Sequence, residues 1–285
     1  MELVSESVDI SSPPQIYIEV NRVVNDPNSS FMKIADTIRK DFSLSARLLK
    51  IANGPFYNFP SKIETIVQAI SIIGTQQLVD LVLATSVLKK FKNIPRELMS
   101  MDSFWRHSIA CGIIARTIAI YRHEANVERF YIMGLLHDIG QLIILEKVPD
   151  LARRALNQRI LDQNLLHETE RKVIGFDHAA VGGALMKAWE LPLNIEEAVA
   201  FHHAPLKAAH YPVETAIVHL SDIIANAMRR SASNESCVAS LEMEAWNQTG
   251  IPVSLLPSIW KRADLMFNEM VKTFIKDSVV LHFLC

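Results

Sequence analysis

Apolar residues recur along this chain at helical spacing. Ile63, Ile66, Val67 and Ile70 fall at i, i+3, i+4 and i+7, which is one face of a helix. Ser61 followed by Glu64 has capping-box spacing at the start of that helix, and Gly74 is placed to end it. From Leu78 to Phe91 the apolar set (Leu78, Val79, Leu81, Val82, Leu83, Val87, Leu88, Phe91) covers more than one face, as expected of a central buried helix. Sustained alternation bounded by turns, the mark of a strand, is missing. The predicted class is all-α.

Proline punctuates the pattern at Pro13-Pro14, Pro27, Pro55, Pro95, Pro149, Pro192, Pro205, Pro212, Pro252 and Pro257. The segment FKNIPRELM (91–99) marks a lobe boundary, because a long apolar helix ends there and an amphipathic one starts after Asp102. A polar stretch, RRSASNES (229–236), sets off a C-terminal piece. The expected organisation is an N-terminal helical lobe over 1–95, a helical core over 96–230 and a C-terminal helical extension over 231–285. The connections are short, so the two lobes are expected to pack together.

Composition narrows the function classes. The 285 residues suffice for one large domain or two modest ones with a well-buried core. Lys+Arg 29 against Asp+Glu 31 leaves no basic excess, which argues against general nucleic-acid binding. Cys111, Cys237 and Cys285 are odd in number and form no CxxC pair, which favours a reducing cytoplasm. The opening MELVSESVDI is too polar for a secretory signal. The most apolar run, Ile132 to Leu145, is shorter than the roughly 20 residues a membrane span needs, and His137 and Asp138 stand at its centre.

Those two residues open the question of chemistry. Five histidines fall beside two aspartates in order: His107 in FWRHS, His137-Asp138 in GLLHDIG, His178 in GFDHAAVG, His202-His203 in AFHHAP and Asp222 in HLSDIIAN. An ionised Asp in an apolar run is costly unless it is paired or bound to a metal. Imidazole and carboxylate together suit Zn, Fe or Mn better than Mg or Ca. Helix neighbours point about 100° apart, so His137 and Asp138 can meet one ion only near a helix end or distortion, and Gly140 supplies a plausible break. Arg106, Arg116 and Lys187 lie in the right segments to hold a phosphate but belong to no motif. His219 reads as a supporting or structural residue, while His123, His167, His210 and His282 read as solvated. Trp105 and Trp189 are expected to close the packing around the site.

The order His107, His137-Asp138, Asp222 resembles the H…HD…D ligand set of the HD phosphohydrolase superfamily. The stretch DPNSSFMKIADTIRKDFSLSARLLKIANGPFYNFPSKIETIVQAISIIGTQQLVDLVL resembles the N-terminal half of HDOD (HD-related output domain) proteins. The later W-H-S, GLLHDIG, E…G-H-VG…W-LP…A…HH-P string also fits, and the likeness covers about residues 13 to 225. It implies an all-helical HD core behind a helical N-lobe, in a bacterial signalling output module. Its implied ligands are His107, His137, Asp138, His178, His202, His203 and Asp222, with His137 and Asp138 as catalytic candidates.

The ligand types stand where the cyclic-dinucleotide phosphodiesterase cousins (the HD-GYP group) place them. Two departures count against cyclic di-GMP hydrolysis: Gln141 replaces the Lys that follows HDIG, and APLKAAHYP follows His202-His203 where the GYP segment belongs. One divalent ion would neutralise the two carboxylates, and a second would leave the site cationic toward phosphate. Two ions ~3.5–4 Å apart generate the nucleophile for phosphoester hydrolysis. Two expectations follow. One is a metal-dependent phosphohydrolase acting on a nucleotide or other phosphoester. The other is a non-catalytic regulatory module with a structural or sensory metal, whose partner is an unidentified signalling protein.

Overall fold

A computed structural model describes residues 12–88, 90–91, 94–228 and 240–276. The opening decapeptide, the polar stretch 229–236, Cys237, His282 and Cys285 lie outside the described residues. All regular structure is helical, with no strand among the described residues, in keeping with the expected class. The described residues divide into two compact units: those of 13–91 with 261–276, and those of 94–260. The C-terminal stretch is therefore shared between the two units, with the division falling after Trp260.

The smaller unit holds α1 (Gln15–Val24), α2 (Phe31–Arg39), α3 (Phe42–Ala52), α4 (Ile66–Ile73) and α5 (Thr75–Val87). Polar side chains fix the helix starts. Ser30 accepts from the Lys33 N–H at the head of α2, and Asp41 accepts from the Leu44 N–H at the head of α3. Residues 78–87 of α5 are all buried, as the many-sided apolar pattern predicts. The capping box of α4 is displaced from the expected Ser61–Glu64 pair: Thr65 and Gln68 form it, with both reciprocal bonds present. The cause is Asn53, whose side-chain amide bonds the main-chain N–H and C=O of Ile63, each at 2.8 Å. That clamp keeps Ile63 out of the helix while its side chain stays buried. No single helix among the described residues is long and apolar enough to cross a membrane; α4 and α5 pass only as a pair, bent by 117°.

The larger unit holds α6 (Met101–Tyr121), α7 (Val127–Leu136), α8 (Ile139–Lys147), α9 (Pro149–Asp162), α10 (Leu166–Val173), α11 (His178–Ala188), α12 (Leu193–Phe201), α13 (Pro212–Ala227) and α14 (Met243–Thr249). A last helix, α15 (Leu256–Val271), begins in this unit. The expected amphipathic helix after Asp102 is instead buried along most of its length, because α7 and α13 both pack on it. Close approach of α6 and α7 needs two glycines, since a Cβ on Gly134 would lie 2.7 Å from the Gly112 Cα.

The apolar run 132–145 is two helices. The break falls at His137 and Asp138 themselves, which cap α7 and α8, and Gly140 sits inside α8. Gly140 has a different task from the break expected of it: a Cβ there would lie 2.0 Å from the His178 carbonyl oxygen and 2.7 Å from the Gly182 nitrogen. It is the point where α8 meets α11. Gly140→Ala is expected to destabilise the chain by about 1–3 kcal/mol through overpacking against main chain that has no flexible end to move. Urea denaturation of the variant beside the parent measures this.

Candidate metal centre

Most of the candidate side chains stand at helix termini. His137 closes α7, Asp138 opens α8, His178 is the first residue of α11, and His202 closes α12 with His203 following. Chain direction changes at each of these points, so neighbours in sequence can face one centre. His107 and Asp222 come from within α6 and α13. All seven residues are brought together, and only His203 is not fully in the buried class.

Asp138 is the shared element. Its Oδ1 lies 3.1 Å from His178 Nε2 and 3.6 Å from His202 Nε2. Its Oδ2 lies 3.3 Å from His137 Nε2 and 3.8 Å from His107 Nε2. Asp222 Oδ1 adds a second carboxylate, 3.0 Å from His107 Nε2 and 3.6 Å from His137 Nε2. Potential ligand atoms of Asp138, His178, His202 and His203 all lie within 4.8 Å of one another, and so do those of His107, His137 and Asp138. The cluster is thus two overlapping groups joined by one carboxylate.

Hydrogen bonds behind the rings decide which nitrogen faces inward. His137 Nδ1 meets the Gly134 carbonyl and His202 Nδ1 the Val199 carbonyl, each at 2.8 Å. His178 Nδ1 meets Glu170 Oε2 at 2.6 Å. A carbonyl or ionised carboxylate oxygen can only accept, so each ring carries a proton on Nδ1 and turns Nε2 inward. His202 Nε2 is fully buried and has no hydrogen-bond partner. Nitrogen pairs face each other closely: His107 and His137 Nε2 at 3.3 Å, and His178 and His203 Nε2 at 2.8 Å. Converging lone pairs on a buried N/O donor set fit a divalent cation.

The same contacts displace the titrations. Burial opposes charge on His137 and on His178, yet Asp138 for the first, and Glu170 and Asp138 for the second, hold both well above the ordinary imidazole range. Burial likewise opposes ionisation of Asp138, but His137, His178 and His202 hold it well below the carboxylate range. His203 is pushed well down by burial and by His202, His178 and His167.

Residues outside the candidate set support it. Glu170 is buried and also accepts from the His178 N–H at 2.9 Å. Asn226 donates to Asp222 Oδ1 at 3.0 Å, one helical turn along α13. His219, expected to be supporting or structural, is buried and bonds the His202 carbonyl at 2.8 Å. His167 corrects the expectation of a solvated residue: it is buried, stacks on His203 with ring centroids 4.0 Å apart, and burial lowers its pKa to about 3. His210 has an exposed ring, but Glu197 holds it at 2.8 Å, so it too is anchored. His123 is exposed, as expected, and Trp105 and Trp189 are buried. None of the three candidate phosphate cations reaches the site's opening: Arg106 pairs with Asp102, Arg116 is buried against Glu128, and Lys187 is exposed on α11.

The cluster is not sealed. A cavity of about 540 Å³ has His107, Asp138, His178, His203 and Asp222 on its wall. The polar residue after the HDIG run, Gln141, lines it as well.

Comparison with known proteins follows this geometry. The family model for the HDOD domain matches residues 10–205. A solved "HDOD domain protein with unknown function" from Geobacter sulfurreducens is 23% identical, with TM-score 0.72 over 90% of this chain and 92% of that one. A Shewanella amazonensis SB2B structure described as "Putative phosphohydrolase" is 24% identical, with TM-score 0.74 over 95% of this chain and 96% of that one. A curated relative, an uncharacterized protein of Treponema pallidum (strain Nichols), is 24% identical over 197 residues, 68% of this chain; the match spans 38% of that relative's length.

One local support can be tested apart from any metal. Asp177 caps α11 by accepting from the Ala180 N–H at 2.9 Å and pairs with Arg171 at 2.7 Å, which sets the helix end that carries His178. Burial opposes its charge, but the Ala180 N–H, His178 and Arg171 hold its carboxyl below the usual range. A depressed carboxyl stabilises the fold above its unfolded pKa, and the benefit is lost as pH falls through the folded value. Asp177→Ala is therefore expected to cost about 1 kcal/mol at neutral pH. The gap to the parent should shrink below about pH 4, which denaturation curves at both pH values would read.

Proposed function

The chain belongs to the HDOD domain family, and from that premise we propose that its histidine–aspartate cluster holds one or two divalent ions (Fe, Mn or Zn) and acts on a phosphoester, nucleotides included. The observation that carries this reading is the position of the cluster on the wall of a cavity. A purely structural metal site is closed by its own ligands, whereas a catalytic one keeps an accessible position. Asp138 with His178, His202 and His203 would hold one ion, and His107, His137, Asp138 and Asp222 the other. A bound divalent ion supplies Lewis acidity toward a phosphoryl oxygen and activates water near neutral pH.

The chain's own residues have distinct parts in this. Asp138 joins both groups through its two oxygens, and His137 fills the fully buried side. Glu170 and the main-chain carbonyls fix the ring orientations, and Asn226 fixes Asp222. His167, uncharged at neutral pH, packs on His203 without adding repulsion. The setting is a bacterial, cytoplasmic signalling role in which the partner is a signalling protein or a phosphorylated small molecule. The family resemblance supports this placement.

Untagged protein is expected to carry stoichiometric Fe, Mn or Zn by elemental analysis, and to cleave bis-p-nitrophenyl phosphate once loaded. The His137→Ala, Asp138→Ala double variant should lose both properties. Glu170→Gln should keep the fold and lower metal affinity by about 10–100-fold. Protein that carries no such metal and stays inactive after reconstitution overturns the reading.

A further inference from the structure

The cavity has a second set of lining residues, from elements that carry no candidate metal ligand. Helix α9 presents Arg153, Leu156, Asn157 and Ile160 to it, the i, i+3, i+4, i+7 face of that helix. Arg159 of α9 lines it from a buried position, and Arg96 lines it from the segment before α6. Apolar side chains, Phe104 and Leu156 among them, also line the cavity. Ile160 belongs to the same wall and is 63% exposed, a large aliphatic side chain left beside cations.

The charge balance on this wall is positive. Outside the metal cluster, whose Asp138 and Asp222 also line the cavity, the exposed arginines Arg96 and Arg153 stand with one carboxylate, Glu97, which meets Arg153 at 3.9 Å. Both partners are largely exposed, so the pair is weak and a better anionic acceptor displaces Glu97 readily. Guanidinium forks suit phosphate and carboxylate oxygens, and an apolar lining with a few placed polar groups is the ordinary make-up of a ligand site. The two sets of lining residues thus ask for different things: a group that a metal cluster can engage and a second anion that arginine can hold.

We propose that Arg96 and Arg153 form an anion-binding wall that selects a ligand with two anionic groups on an apolar or aromatic body, such as a nucleoside bisphosphate. The assignment of the first anionic group rests on the metal reading above, while the arginine wall stands on its own residues. No candidate cation identified from the sequence lies on this wall.

The test uses the full chain, metal-loaded and metal-stripped, with adenosine 3′,5′-bisphosphate, 5′-AMP and adenosine as calorimetric probes. The bisphosphate is expected to bind at least tenfold more tightly than 5′-AMP. Arg96→Ala with Arg153→Ala, at two exposed positions, should abolish that preference while leaving metal content and the unfolding midpoint unchanged. Equal affinity of the parent for bisphosphate and 5′-AMP overturns the proposal, as does a preference that survives the double variant. If stripped protein keeps the preference and the double variant loses it, the wall is upheld. Failure to load metal would then count against the catalytic reading alone.

Discussion

The buried carboxylate of Asp138 is the constraint on which the larger unit is organised. An ionised group in an apolar interior is tolerated only where opposite charge or coordination compensates it. Four imidazole nitrogens from α6, α7, α11 and α12 surround its two oxygens at 3.1 to 3.8 Å. To supply them, four helices must end or pass at one point. The glycine at position 140 lets α8 and α11 come close enough for that, and the glycines at 112 and 134 do the same for α6 and α7. Packing and site are one problem in this fold, solved largely by helix termini.

That explains which parts of the structure were legible in the chain. Helical class followed from apolar spacing, because a helix interior records its burial at every third or fourth residue. The buried character of α5 followed from apolar residues on more than one face. The seven candidate ligands were legible because their order resembles a known family's ligand set, and His137 and Asp138 also stand out in an apolar run. Helix starts were less so: the box at Thr65 and Gln68 displaced the one read at Ser61 because Asn53, ten residues earlier, holds Ile63 extended. A side chain reaching across a loop leaves no periodic trace.

The same reasoning separates ligands from the residues behind them. Glu170 and Asn226 are ordinary polar residues on helices, and nothing in their spacing distinguishes a carboxylate that orients a ring from one that faces water. His167 sits among charged residues of α10 and reads as solvated, yet it stacks on His203 because α10 turns its other face inward. The arginines of the cavity wall were hidden for a related reason. Helix α9 has only three buried residues, so its exposed face looks like a solvated one until the cavity beside it is known.

A cation held at the centre of this cluster would have to compete with protons. Around the ionised Asp138 and Asp222, His137 and His178 are driven toward the charged form, whereas His202, His203 and His167 are driven away from it. Without other positive charge, protons on His137 and His178 compensate the carboxylates. Those rings, however, have their Nδ1 protons committed to Gly134 and Glu170, so a second proton must sit on the inward nitrogen. A divalent ion on that nitrogen needs the same lone pair, and its arrival must expel the proton. If the cluster holds a divalent ion, occupancy would therefore fall as pH falls, since the ion and the proton need the same inward nitrogen.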